Sequence, residues 1–167
     1  MLRHQLTASP VLSINEPASV LAPFLDVLMG DADVFPVSNN RASVLGAIDV
    51  LRLFVKYDCT TQLTLAATAL KCMVMEHDVC PLEVFILGAA IGDVTLCRTA
   101  IVFCDKDDIT ALDNEAHADA IQAHWKAVPA TYKIALLKAW EVKDPRDRGN
   151  RFTEAMYLEG KQVAPFG

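Results

Sequence analysis

Nothing in this chain's composition favours a polyanionic partner. Its 15 Lys and Arg are outnumbered by 21 Asp and Glu, giving a formal net charge of -6 and a pI near 5.1. A general affinity for nucleic acid or for an anionic bilayer needs a basic patch, so neither is expected as a partner. The chain also lacks any run of about 20 uncharged apolar residues, the length that spans a bilayer. Its opening residues, MLRHQLTASP, lack the apolar core of an export signal. Glycine is scarce, at 7 residues, and none falls in a Gly-x-Gly-x-x-Gly or Walker pattern that would cradle a phosphate. All five serines precede residue 44, and none sits in a Gly-x-Ser-x-Gly elbow. Five cysteines at irregular spacing read as reduced thiols, which places the chain inside the cell, in cytoplasm or nucleus.

What is present is helical periodicity, interrupted at regular joints. With 167 residues and 53% apolar content, the chain is long enough to bury a core without a disulfide or a metal. Val11-Leu12-Ser13-Ile14 is the one strand candidate, closed by Asn15-Glu16-Pro17. A first helix follows Pro17, with Val20, Leu21, Phe24, Leu25 and Leu28 on its inner face, a kink or split at Pro23 and a stop at Gly30. Ser43 is placed to cap a second helix with Val44, Ala47, Ile48, Leu51, Phe54 and Val55 inward and an Asp49–Arg52 pair outward. A third, capped by Thr60 or Thr61, runs to about Met75. Cys80-Pro81 opens a fourth, through Ile91, whose only charge is Glu83; apolar on every side, it belongs at the centre. Gly92 suits a left-handed C-cap and Asp93 the next N-cap, before a fifth helix to Cys104. Two more are expected, from Asp113 to Lys126 and from Pro129 to Trp140. KDPRDRGNR then reads as a charged break, and 152–158 as a short last helix.

No side-chain constellation in this pattern carries out a reaction by itself. Cys72, His77 and Cys80 have a Cys-x4-His-x2-Cys spacing that supplies three zinc ligands but no local fourth. Asp105-Lys106-Asp107-Asp108 starts like an EF-hand loop and fails at the later ligand positions. His117 and His124 lie seven residues, about 10.5 Å, apart along one helix, too far to share an ion. Lys143, Arg146, Arg148 and Arg151 are interleaved with Asp144 and Asp147, the composition of a solvated turn. Gly88 and Gly92 have the spacing of a close-packing pair, giving room for a neighbouring helix and a C-cap.

Several segments resemble the second half of the BTB/POZ domains found in many fungal proteins, together with their helical extension. VLSINEPASVLAPFLDVLMGD looks like that family's late strand, acidic turn and helix, and VLRLFVKYDC like its helix ending in Lys-Tyr-Asp. PLEVFILGAAIGDVTLCRTAI is similar to its helix–Gly–helix pair, and VPATYKIALLKAW to a later helix. The resemblance implies a partial BTB-like core over 1–78, a helical extension over 79–142 and a charged tail over 143–167. It also implies an N-terminally truncated or divergent copy, because Met1 to Ser9 have no room for the family's first strands and dimerising segment. The family's cullin contact uses a hydrophobic-x-Glu loop; here GDADVFPVSNN lacks the glutamate, so adaptor activity is not carried over.

Together these readings predict a mainly α, multi-helix stack with one short strand. Its expected role is a non-catalytic protein–protein interaction module without cofactor or metal. Val34 and Phe35, in the polar 30–42 loop, are the nominated contact residues for a protein partner. The alternative is a small all-α metal-binding protein or enzyme using Cys72, His77 and Cys80.

Overall fold

The computed structural model describes residues 15–31, 44–105 and 119–162. These form eight α-helices and one 3-10 turn, with no strand among the described residues. The mainly α class therefore holds. The expected strand at Val11–Ile14, the Ser43 and Asp113 caps, and most of the acidic 105–108 turn lie outside the described residues.

The helices are α1 (Ala18–Met29), α2 (Ile48–Lys56), α3 (Thr60–Met75), α4 (Pro81–Ile91), α5 (Val94–Phe103), α6 (Asp119–Ala127), α7 (Ala130–Ala139) and α8 (Pro145–Gln162). The 3-10 turn Leu45–Ala47 leads into α2. α4 is the centre, as its all-round apolarity predicts: every residue from Leu82 to Ala89 is buried. α5 packs most extensively on it, and α2, α3 and α6 also touch it. α8 lies across α5 and α7, while α1 rests on α2.

Aromatic rings join these layers into one core. Phe85 of α4 meets Phe152 of α8 with ring centroids 5.8 Å apart, and Phe152 meets Tyr132 of α7 at 6.3 Å. Trp125 of α6 reaches Phe85 at 6.3 Å. At the other end Phe24 packs between Phe54 and Tyr57, at 5.3 and 5.8 Å. Burying a Phe or Leu side chain is worth about 1.5–3 kcal/mol, so these contacts are what hold the helices in register.

Four helix ends close in the same way. After α1, α2, α3 and α4 the chain turns through a left-handed residue: Gly30 (φ 78), Asp58 (φ 54), His77 (φ 62) and Gly92 (φ 76). At the first three, a pair of backbone bonds folds back over the last turn, such as Asp78 N–H to Met73 O at 2.9 Å and His77 N–H to Val74 O at 3.2 Å. At the fourth, Asp93 then caps α5, its carboxylate accepting from Leu96 N–H at 2.9 Å.

Some sequence expectations give way to packing. α1 is continuous across Pro23, since the carbonyl that loses its partner belongs to solvent-exposed Ser19. Pro17 and Pro129 stand just before their helices, as N-caps. Cys59, without a side-chain cap bond, takes the place expected for Thr60 or Thr61. Leu25, Leu28 and Val55, read as inward, are exposed. The largest correction concerns 143–151. It is no charged break: α8 begins at Pro145 and runs 18 residues. Phe152 and Ala155 supply its buried anchor, and Asp144 caps it by accepting from the backbone N–H of Arg146 and Asp147 at 2.9 and 3.1 Å.

Candidate functional site

The nominated contact residues Val34 and Phe35 lie outside the described residues. The three thiol and imidazole candidates are within them, and each has a local structural position. Cys72 is exposed on the outside of α3, and His77 occupies the left-handed turn after that helix. Its ring meets Phe103 edge-on at 6.1 Å. Cys80, half-buried, is the N-cap of α4. The structure does not assemble them as a ligand set: among the described residues no group of three or more His, Cys, Asp or Glu side chains is close enough to hold a metal ion.

The basic cluster separates into two kinds of residue. Lys143 and Arg146 are exposed, and Arg151 pairs with Glu154 at 3.5 Å. Arg148 is instead buried and structural. It donates to the carbonyls of Cys104 at 3.0 Å, Lys143 at 3.3 Å and Val142 at 3.4 Å, and its guanidinium sits over the Trp140 ring. A residue expected in a solvated turn thus fastens the end of α5 to the α7–α8 connection.

Other buried polar groups are also engaged in the fold. Glu83, in the first turn of α4, accepts from Val44 N–H at 2.8 Å, which fixes the entry to α2. The Cys97 thiol donates to Phe85 O at 3.4 Å. Burial pushes its pKa well up, and the nearby Asp93 charge adds to that effect. Such a thiol stays protonated and is a poor nucleophile. Its position is set by Gly88: a Cβ there would stand 2.7 Å from Cys97 Sγ. The expected pair therefore divides its labour, Gly88 giving α5 room and Gly92 closing α4. Burial also raises the Tyr132 pKa, with smaller contributions from Cys97 and Asp93.

A cleft between α2, α4 and α6 is lined by Ile48, Arg52, Ile86, His124 and Val128, among others. Its cavity volume of about 10 Å³ holds roughly one water molecule. That is far below the few hundred Å³ of a typical small-molecule site. No helix among the described residues is long and apolar enough to cross a membrane.

The surface is more informative than the interior. Large apolar side chains stand exposed on α1 (Leu25, Leu28, Met29), α3 (Leu65, Met75), α7 (Ile134, Leu137) and α8 (Tyr157, Leu158). The sequence gives one signal for α1: twelve residues carrying a single charge, Asp26, with only Phe24 buried. Charge is also divided along the chain. Residues 1–123 carry 7 Lys and Arg against 16 Asp and Glu, whereas 124–167 carry 8 against 5. No protein-family model, no curated protein and no solved structure matches this chain.

Proposed function

We propose that this chain is a non-catalytic protein–protein interaction module, of BTB/POZ-like descent, that binds through outward helix faces. The observation that carries this reading is the set of large apolar side chains exposed on α1, α3, α7 and α8, led by Met29 at 73% and Leu137 at 66%. Scattered exposed leucines are ordinary, but several on one helix face mark a contact surface. In support, the two buried charged side chains among the described residues and the Cys97 thiol are occupied by backbone: Arg148 by three carbonyls, Glu83 by an amide and Cys97 by a carbonyl.

Affinity capture from the source cell tests the reading, with the bound protein then purified and rebound to the isolated chain. One partner that rebinds is expected, with binding reduced by Leu25→Ser, Leu65→Ser or Leu137→Ser, or by Phe35→Ala in the loop nominated from sequence. Rebinding that survives all four substitutions, or a chain that neither captures a partner nor binds its own copies, overturns it.

A further inference from the structure

The outward faces of α1 and α7 are both apolar and carry opposite charge. On α1, Ala18, Ala22, Leu25 and Met29 recur at intervals of four, three and four, which aligns them along one face. All four are exposed. Asp26 borders this stripe and Asp31 follows its end, both exposed, and α1 contains no Lys or Arg. On α7, Ala130, Ile134 and Leu137 recur at intervals of four and three, and all are exposed. Lys133 and Lys138 flank them, and the helix contains no acid; Glu141 comes after its end. Within the chain α1 packs on α2 and α7 on α8, each through its opposite side. Twelve and ten residues make helices of about 18 and 15 Å, so the two faces also match in length.

We propose that these faces bind one another between copies, α1 of one copy docking on α7 of the next. This deepens the interaction-module reading, on which it rests, by naming a second copy of the chain as the partner. Two copies with a net charge of -6 repel one another over most of their surfaces. Repulsion turns to attraction where the acidic N-terminal part meets the basic C-terminal part. The contact joins two different surfaces, so it leaves one free face at each end and builds chains or closes into rings. One helix pair buries less than the roughly 1,600 Å² of a standard interface, so the association is a weak, concentration-dependent one.

Sedimentation velocity on the full chain, from about 1 μM to about 1 mM, is the test. Wild type is expected to self-associate with rising concentration. Asp26→Lys and Lys138→Glu each place like charges across the contact and should weaken it about tenfold. An equimolar mixture of the two single variants restores opposite charges at every contact and should recover wild-type association. Leu137→Ser should weaken association with an unchanged circular dichroism spectrum, which separates surface loss from unfolding. A chain that stays monomeric throughout, association indifferent to both charge reversals, or a mixture that fails to recover overturns the inference. A monomer that still captures and rebinds a foreign protein removes only this inference and leaves the broader reading standing.

Discussion

The guanidinium carbon of Arg148 lies 3.7 Å from the centre of the Trp140 ring, close enough for the cation to be held by the ring's negative face. The same guanidinium donates to the carbonyls of Cys104, Val142 and Lys143, which end α5 or lie between α7 and α8. One side chain thus satisfies acceptors from two segments 44 residues apart in sequence at its farthest reach. Removing it leaves buried or half-buried carbonyls without a donor.

Arg148→Ala should therefore cost about 3 kcal/mol, combining unmade charged hydrogen bonds with the lost ring contact. Arg148→Lys keeps the charge but replaces a planar fork with a single ammonium, and should recover no more than about half of that loss. Arg146→Ala, in the same sequence cluster but exposed, should change stability by less than about 0.5 kcal/mol. Urea unfolding midpoints for the three variants rank these effects. Equal midpoints for Arg148→Ala and Arg146→Ala would return Arg148 to the solvated turn first expected for it.

Gly88→Ala tests the α4–α5 contact. The added methyl would meet Cys97 Sγ at 2.7 Å, Cys97 N at 3.1 Å and Asp93 O at 3.2 Å, two of them backbone atoms that cannot rotate away. Overpacking of this kind costs typically 1–3 kcal/mol. Pairing it with Cys97→Ala removes the closest obstacle but not the backbone ones, so the double variant should be more stable than the sum of the two single losses implies. Strict additivity in that cycle would mean that the helices shift apart instead, and the close approach would then not be what positions α5.

These two sites show why parts of the fold are legible from sequence and others are not. The α4–Gly92–α5 unit follows from local rules: Pro81 opens a helix, eleven apolar-rich residues bury it, Gly92 takes the left-handed turn and Asp93 caps the next. The Asp49–Arg52 pair, at 3.4 Å, likewise follows from spacing alone. α8 defeats such rules because its first seven residues read as polar, while Gly149 and Phe152 are buried against partners distant in sequence. Charge density marked the segment as a break, although Arg148 is charged and buried at once. α1 fails in the opposite sense. Its apolar spacing is right for a buried face, yet among the described residues its main helix contact is with α2, and only Phe24 is fully buried. At the site level, exposed Ile134 and Leu137 on α7 could not be told from core residues without knowing which side of α7 meets α8.

His77 carries two readings that one substitution separates. In the structure it holds φ 62, a left-handed conformation that costs a side-chain-bearing residue about 1–2 kcal/mol and costs glycine almost nothing. His77→Gly should thus leave the fold intact and change stability by about +0.5 to +1 kcal/mol, reduced by loss of the edge contact with Phe103. His77→Val, β-branched, should destabilise by more than about 1 kcal/mol. If Cys72, His77 and Cys80 held zinc, His77→Gly would instead abolish an equimolar metal content and unfold the chain. Thermal unfolding alongside metal analysis of the wild type and His77→Gly decides between the two.

Cys97 makes stability depend on alkaline pH, with a sign that can be worked out. Burial raises its folded-state pKa well above that of an exposed thiol, with Asp93 adding to the rise. The unfolded chain therefore releases the thiol proton first, at about pH 8.5, while the folded chain still holds it. Between those two pKa values the folded state binds more protons, so stability is fully present below about pH 8.5 and falls as pH climbs beyond it. Cys97→Ala removes this contribution; its urea midpoint should start lower, from the lost packing, but decline less steeply over that alkaline range. Thiol titration supplies an independent check at neutral pH. Exposed Cys72 should react with a disulfide reagent within seconds to minutes, and Cys97 only at the rate of unfolding. Fast labelling of Cys97 in the native state would mean that α4 and α5 separate readily, and the close approach at Gly88 would no longer explain how the centre of this fold is held.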